Sequence, residues 1–165
     1  MTREPEGILH SSLKNNNMTA IFTGSFDPFT IGHYDIVSRA LPLFSRIVIG
    51  VGVNERKQYM QSAEQRCATI ASIYADEPKI EVKSYSDLTV DFARREGAIY
   101  IMKGVRSVKD FEYEREQADI NRQLSGIDTI LLYSDPRYSS ISSSMVRELI
   151  HFGQDVSRYL PQLLK

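Results

Sequence analysis

The chain has 165 residues, 42% of them hydrophobic, with a formal net charge of -1. That length suits one domain around a single core, burying roughly 70% of the surface the unfolded chain exposes, so neither disulfide nor metal is needed to hold it together. The charge balance excludes the broad basic field of a nucleic-acid binder, the lone Cys67 excludes an intrachain disulfide framework or a cysteine-rich zinc site, and no apolar run approaches the ~18 residues of a membrane span.

In chain order, residues 1–17 are polar, end in Asn15-Asn16-Asn17 and carry neither helical nor strand period. Gly7-Ile8-Leu9 is too short for the apolar region of a signal peptide. The segment is expected to be a disordered extension or an upstream start, with one domain over residues 18–165. From Met18 onward, short β-branched runs alternate with amphipathic stretches. Strands are expected at Thr19 to Thr23, Arg46 to Val53, Lys79 to Lys83, Ala98 to Met102 and Thr129 to Tyr133. Ile47-Val48-Ile49-Gly50-Val51 is apolar on both faces, as a strand covered on each side should be. Between the strands lie helical patterns. Gly32 to Leu41 carries Ile36, Val37 and Ala40 on one stripe and meets Pro42, which should kink or end the helix. Ser62-Ala63-Glu64-Gln65 has capping-box spacing and opens a helix to about Tyr74. Val90 to Glu96 ends at Gly97, and a helix capped by Asp110 runs to about Leu124, before Gly126. Five strands alternating with helices make an α/β fold, a parallel sheet with helices on both faces. Ligands of such sheets sit at the carboxyl ends of the strands.

Three strand exits are chemically loaded. The first reads Thr23-Gly24-Ser25-Phe26-Asp27-Pro28-Phe29-Thr30-Ile31-Gly32-His33. Gly24 permits close backbone approach to a ligand. Thr30 to His33 then start a helix whose free N–H groups and dipole favour an anion. His33 alone is more often a buried capping neighbour, but Gly24, Ser25, Gly32 and His33 together, between strand and helix, favour a phosphate site. The last exit, Tyr138 to Glu148, places Ser142-Ser143-Ser144 at a helix start. One serine caps a helix, whereas three offer several hydroxyl and N–H donors to phosphate oxygens. Arg147, a turn later, is equally a phosphate ligand or a surface charge by spacing. Lys103-Gly104-Val105-Arg106 sets two cations around a glycine, which suits a polyphosphate. Lys57, in a charged loop after the second strand, reads by itself as plain surface.

These residues resemble the phosphopantetheine adenylyltransferases, nucleotidyltransferases with a Thr/His-x-Gly-His motif. The resemblance runs from about Met18 to Leu164, through Gly24–His33, Lys57, Lys103–Arg106 with Asp110-Phe111-Glu112-Tyr113-Glu114, and Ile141–Ser144. The x-Gly-His motif names only the superfamily, while the Asp-Phe-Glu-Tyr-Glu block narrows it. The resemblance implies a Rossmann-like doubly wound five-stranded sheet. It also implies a reaction: the adenylyl group of ATP passes to 4′-phosphopantetheine, giving dephospho-coenzyme A and pyrophosphate, with Mg2+ held mainly by phosphates and water. By matching position, ATP would be met by Ser25, Phe26, His33, Gly104, Val105, Arg106, Glu114, Tyr138, Ser139, Ser140, Ile141, Ser142, Ser143 and Ser144. Phosphopantetheine would be met by Ser25, Lys57, Leu88, Thr89 and Lys103. His33, Lys57, Ser25 and Arg106 are the catalytic set that the resemblance implies. A cytoplasmic homohexamer inhibited by coenzyme A, with no nucleic-acid or membrane partner, is implied likewise. Two positions depart from the family pattern: Lys103 stands where arginine is common, losing the two-pronged geometry, and Ser140 stands where an aromatic residue often occurs.

The chemistry needs no more than such a set. A phosphate nucleophile is already ionised near neutral pH, so positioning and electrostatics carry the transfer. Neither Gly-x-x-x-x-Gly-Lys-Ser/Thr nor Gly-x-Gly-x-x-Gly is present, which sets aside P-loop and dinucleotide-binding readings. A nicotinamide mononucleotide adenylyltransferase is the nearest rival.

Overall fold

In the computed structural model, residues 17–162 are described; the extension expected at 1–17 falls outside them apart from Asn17. Five strands form one sheet: β1 (Thr19–Gly24), β2 (Arg46–Gly52), β3 (Ile80–Tyr85), β4 (Tyr100–Val105) and β5 (Asp128–Tyr133). Their order is β3-β2-β1-β4-β5 and every pairing is parallel. The chain therefore winds outward from β1 to β3, returns across the sheet, and winds the other way through β4 and β5. The reversal lies between β1 and β4, and at such a switch point the connections diverge and leave a crevice beyond the strand ends.

Side chains alternate across the sheet, so each central strand feeds two cores. Ala20, Phe22, Ile47, Ile49 and Met102 pack on one face with Ile36, Val37 and Ala40 of α1 (Ile31–Ala40) and Ile70 of α2 (Ala63–Ile73). Ile21, Val48 and Ile101 pack on the other with Val90, Phe92 and Ala93 of α3 (Thr89–Arg95). The longest helix, α4 (Val108–Ser125), lies beside α3, and α5 (Ser143–His151) follows the last strand.

The local signals act as the sequence suggests at several ends. Ser62 accepts from the Gln65 amide at 3.1 Å while Gln65 Oε1 accepts from the Ser62 amide at 3.0 Å, a reciprocal capping box. Helix α4 ends at Gly126 with φ +75, a left-handed conformation that L side chains resist. Two expectations are corrected. The N-cap of α4 is Ser107, whose hydroxyl accepts from the Asp110 amide at 3.1 Å, so Asp110 sits in the first turn. And Lys103, Gly104 and Val105 belong to β4, paired with Leu131, Leu132 and Tyr133. Partnership with β5 extends the strand through what glycine and charge made look like a loop.

Gly50 is required by packing rather than by a turn. A Cβ there would stand 2.5 Å from Phe92 Cε1, and the Phe92 ring is itself stacked 4.5 Å from Tyr85. Gly50→Ala is expected to destabilise the fold by about 1–3 kcal/mol, the range for overpacking a filled core. Urea denaturation measures this, and an unchanged midpoint would contradict the packing described.

Candidate active site

The loop after β1 is built as a rigid bracket. Phe26 takes φ +49, which turns the chain back so that its ring lies against Gly24, where an added Cβ would meet Phe26 Cε1 at 3.0 Å. The Asp27 carboxylate is 2% exposed and accepts from the amides of Met60 at 2.7 Å and Gln61 at 3.1 Å. The carbonyl of Asp27 accepts from Arg147 Nη1 at 2.8 Å, and that of Pro28 accepts from the Ser143 hydroxyl at 2.8 Å. Arg147 thus joins α5 to the β1 loop, with Nη2 donating to Ser144 Oγ at 3.2 Å. It is neither a free surface charge nor a group aimed only at a ligand.

Thr30 caps α1, and its amide donates to His33 Nδ1 at 2.9 Å. Because Nδ1 accepts, the proton of the neutral imidazole resides on Nε2, the far side of the ring. The capping reading and the phosphate-donor reading of His33 are therefore compatible, since each uses a different nitrogen. Phe26 at 5.1 Å and Phe29 at 5.3 Å between ring centroids pack around the imidazole. Burial, then the cations Arg106 and Lys103, lower the His33 pKa to about 4.

Two cavities open at the carboxyl end of the sheet. One, of about 320 Å³, lies over the β1–β4 crevice and includes Ser25, His33, Lys103, Arg106, Glu114 and Ser144 on its walls. Phe26, Gly104, Ile141, Ser142 and Ser143 face it too, so the amino ends of α1 and α5 both border it. The second, of about 370 Å³, lies over β1, β2 and β3, where Lys57, Leu88 and Thr89 border it with Tyr85 and Asp87. Gly24, Ser25 and Lys103 belong to both walls. The two cavities meet there.

Lys103 Nζ donates to the Thr23 carbonyl at 3.0 Å and stands 4.0 Å from Glu114. Burial lowers its pKa, with Glu114 pulling the other way. Arg106 pairs with Asp110 at 3.4 Å. A cleft with cations on its walls and helix amino ends beside them is electrostatically prepared for an anion. Lys57 is exposed on a turn in which its amide donates to the Asn54 carbonyl at 2.9 Å.

Four of the residues matched to ATP lie outside the walls of the first cavity. Val105 is buried in β4, and Tyr138, Ser139 and Ser140 lie on the approach to α5, where the Ser139 hydroxyl donates to the Pro136 carbonyl at 3.0 Å. Sequence reasoning missed Asp27 as the tie to residues 60 and 61, because its partners lie 33 and 34 positions away. It also missed Asp87 and Tyr85 on the second cavity. A carboxylate buried in a turn gave no local sign of a distant partner.

A family model of cytidylyltransferase-like proteins matches residues 21–149. A phosphopantetheine adenylyltransferase of Phocaeicola vulgatus is 52% identical over 146 residues, covering 88% of this chain and 97% of that one. Another, of Porphyromonas gingivalis, is 57% identical over 143 residues, covering 87% and 94%. Among solved structures, a putative nicotinate-nucleotide adenylyltransferase of Vibrio parahaemolyticus shares the fold with a TM-score of 0.67 at 16% identity, covering 88% of each chain. A bifunctional NMN adenylyltransferase/ADP ribose pyrophosphatase of Francisella tularensis, complexed with AMP and a manganese ion, gives the same TM-score of 0.67 at 16% identity; this chain covers 45% of it.

The electrostatics give a titration. In the ligand-free protein, His33 is expected to protonate with a midpoint near 4 rather than 6.5. The unfolded chain then takes up a proton that folded His33 refuses, so stability contributed here falls as pH drops from 6.5 towards 4 and is level above that window. NMR of ring-labelled histidine reads the midpoint directly; a value near 6.5 would remove the burial and cation effects from the account.

Proposed function

Since the chain belongs to the phosphopantetheine adenylyltransferase family, we propose that it transfers the adenylyl group of ATP to 4′-phosphopantetheine, giving dephospho-coenzyme A and pyrophosphate. The observation that carries this is the meeting of two cavities at Gly24, Ser25 and Lys103. Adenylyl transfer needs two phosphate-bearing molecules held end to end, and this arrangement provides one compartment for each. ATP occupies the first cavity, its polyphosphate between Arg106 and the amino ends of α1 and α5. Phosphopantetheine occupies the second, its arm along Leu88 and Thr89 and its phosphate by Lys57, Ser25 and Lys103. An oxygen of that phosphate attacks the α-phosphorus, the bond to the bridging oxygen of the β-phosphate breaks, and pyrophosphate leaves.

His33 acts as a neutral hydrogen-bond donor through Nε2, without giving up its proton, since its pKa of about 4 keeps the ring uncharged at neutral pH. Lys57, Lys103 and Arg106 offset charge gathering on the phosphates. Glu114 is the one carboxylate on the first cavity among the described residues. That donor set suits Mg2+ arriving on ATP, with ligands mostly from phosphate oxygens and water, where it neutralises polyphosphate charge. Coenzyme A contains the phosphopantetheine arm and would inhibit by competing for the second cavity. Large apolar side chains exposed on α4, among them Val108, Tyr113, Ile120 and Leu124, support self-association, and assembly as a homohexamer is part of the same proposal. No helix among the described residues is long and apolar enough to cross a membrane, and cytoplasmic residence belongs to the same proposal.

The test is pyrophosphate release from ATP and Mg2+, with 4′-phosphopantetheine, nicotinamide mononucleotide and glycerol 3-phosphate supplied separately. Release with phosphopantetheine alone, together with dephospho-coenzyme A, is expected. Release with another acceptor would overturn the substrate, and none with any would overturn the enzyme. His33→Ala is expected to cut kcat by roughly 100- to 1,000-fold, the usual loss on removing one preorganised donor, while Thr30 still caps α1. Near-normal turnover in that variant would take His33 out of the mechanism.

A further inference from the structure

Arg66, in the first turn of α2, is 1% exposed. A buried guanidinium is costly unless its donors are matched, and a hydrophobic side chain would fill the same space without that cost. Its partners are not carboxylates. Nη1 donates to the Ser25 carbonyl at 2.6 Å and the Gly52 carbonyl at 3.1 Å, and Nε donates to the Gln61 carbonyl at 3.2 Å. The guanidinium carbon lies 4.1 Å from the centre of the Tyr59 ring, within cation–π range. One side chain therefore joins the end of β1, the end of β2 and the start of α2.

What lies between those ends is the turn that carries Lys57. The Tyr59 hydroxyl accepts from the Asn54 amide at 2.9 Å, and the Asn54 carbonyl accepts from the Lys57 amide at 2.9 Å. The base of the turn is thus closed by Tyr59, and Tyr59 rests on Arg66. Asp27 holds the following residues from the β1 loop, through the amides of Met60 and Gln61. Lys57 itself is exposed, so its amine has no packing of its own to aim it. Its position relative to Ser25 is set by the base of its turn, and Arg66 reaches both, bonding the Ser25 carbonyl and lying against the Tyr59 ring.

We propose that Arg66 is a positioning residue for the transfer: through Tyr59 and the Ser25 and Gly52 carbonyls it fixes the Lys57 turn against the rim where the two cavities meet. The inference rests on the reading that Lys57 acts on the phosphates. It assigns Arg66 no contact with substrate. Misplacing a catalytic group by about 1 Å costs on the order of 100-fold, so a tie of this kind controls kcat more than the affinity for ATP.

The test is a kinetic double-mutant cycle on the full chain, with Arg66→Met and Lys57→Ala singly and together, assayed below their unfolding temperatures. Arg66→Met removes the charge and every donor at similar length. It is expected to lower kcat by roughly 10- to 100-fold, with KM for ATP changed by less than about 3-fold, and Arg66→Lys to recover part of the loss. In the Lys57→Ala background the further loss should shrink below about 3-fold, because residues acting through one another are not additive. Equal losses in both backgrounds, or an unchanged kcat, would overturn the proposal, since a merely structural arginine weakens both alike. Where Arg66→Met does not fold, Tyr59→Leu breaks the same link without unpairing the buried charge, and the same comparison applies. If the unaltered protein releases no pyrophosphate with any acceptor, the functional reading fails by itself. Amide hydrogen exchange then decides for Arg66: faster exchange in residues 54–61 of the variant, with β1 and β2 unchanged, upholds the tie, and unchanged exchange there removes it.

Discussion

The bond from the Thr30 amide to His33 Nδ1, at 2.9 Å, sets what the rest of the site can do. It spends the acceptor nitrogen of the ring on closing the first turn of α1, which leaves the other nitrogen protonated and pointing away from the helix backbone. A histidine fixed in that way is a hydrogen-bond donor of known direction and needs no change of charge to act. Partial burial against Phe22, Phe26 and Phe29, with Arg106 and Lys103 nearby, keeps it neutral. The aromatic packing and the two cations that lower its pKa thus serve one end: a donor that stays the same across the physiological pH range.

Around that donor the structure solves a problem of mutual repulsion. In the proposed transfer, two phosphate groups must approach each other in this cleft. The parallel sheet supplies the geometry, because the reversal of strand order between β1 and β4 opens the crevice there. The cations then come from separate elements: Lys103 from β4, Arg106 from the step into α4, Lys57 from the turn after β2. Glu114 stands 4.0 Å from Lys103 and tempers its charge. Holding such groups in register is a matter of the backbone. The loop after β1 is tied by Arg147 and Ser143 from α5, and through the Asp27 carboxylate to the start of α2.

Much of this was legible in the sequence, for local reasons. The all-apolar run at Ile47 to Val51, the capping box at Ser62 and Gln65, and Gly126 behind a helical pattern each report their own element through neighbours within four positions. The first strand exit, from Gly24 to His33, carried its chemistry in one contiguous block. What remained hidden depends on partners distant in the chain. Lys103 and Gly104 look like a loop until β5 pairs with them. Ser107 rather than Asp110 caps α4, a choice between two competent residues three positions apart that only the chain direction settles. Arg147 read as ligand or surface because its carbonyl partner is 120 positions away. Arg66 carries no local signal: a basic residue on an amphipathic helix is ordinarily solvated, and nothing nearby in the chain shows that the carbonyls of Ser25 and Gly52 converge on it.

The central claim is that the two cavities bring acceptor phosphate and ATP together directly, with no group of the protein becoming bonded to the adenylyl moiety. Stereochemistry at phosphorus tests that claim most closely. With one diastereomer of an ATP analogue bearing sulfur on the α-phosphate, and 4′-phosphopantetheine as acceptor, a single in-line displacement predicts inversion of configuration in the dephospho-coenzyme A formed. Retention would mean two displacements in succession, and so an adenylylated enzyme that this arrangement of side chains does not provide for.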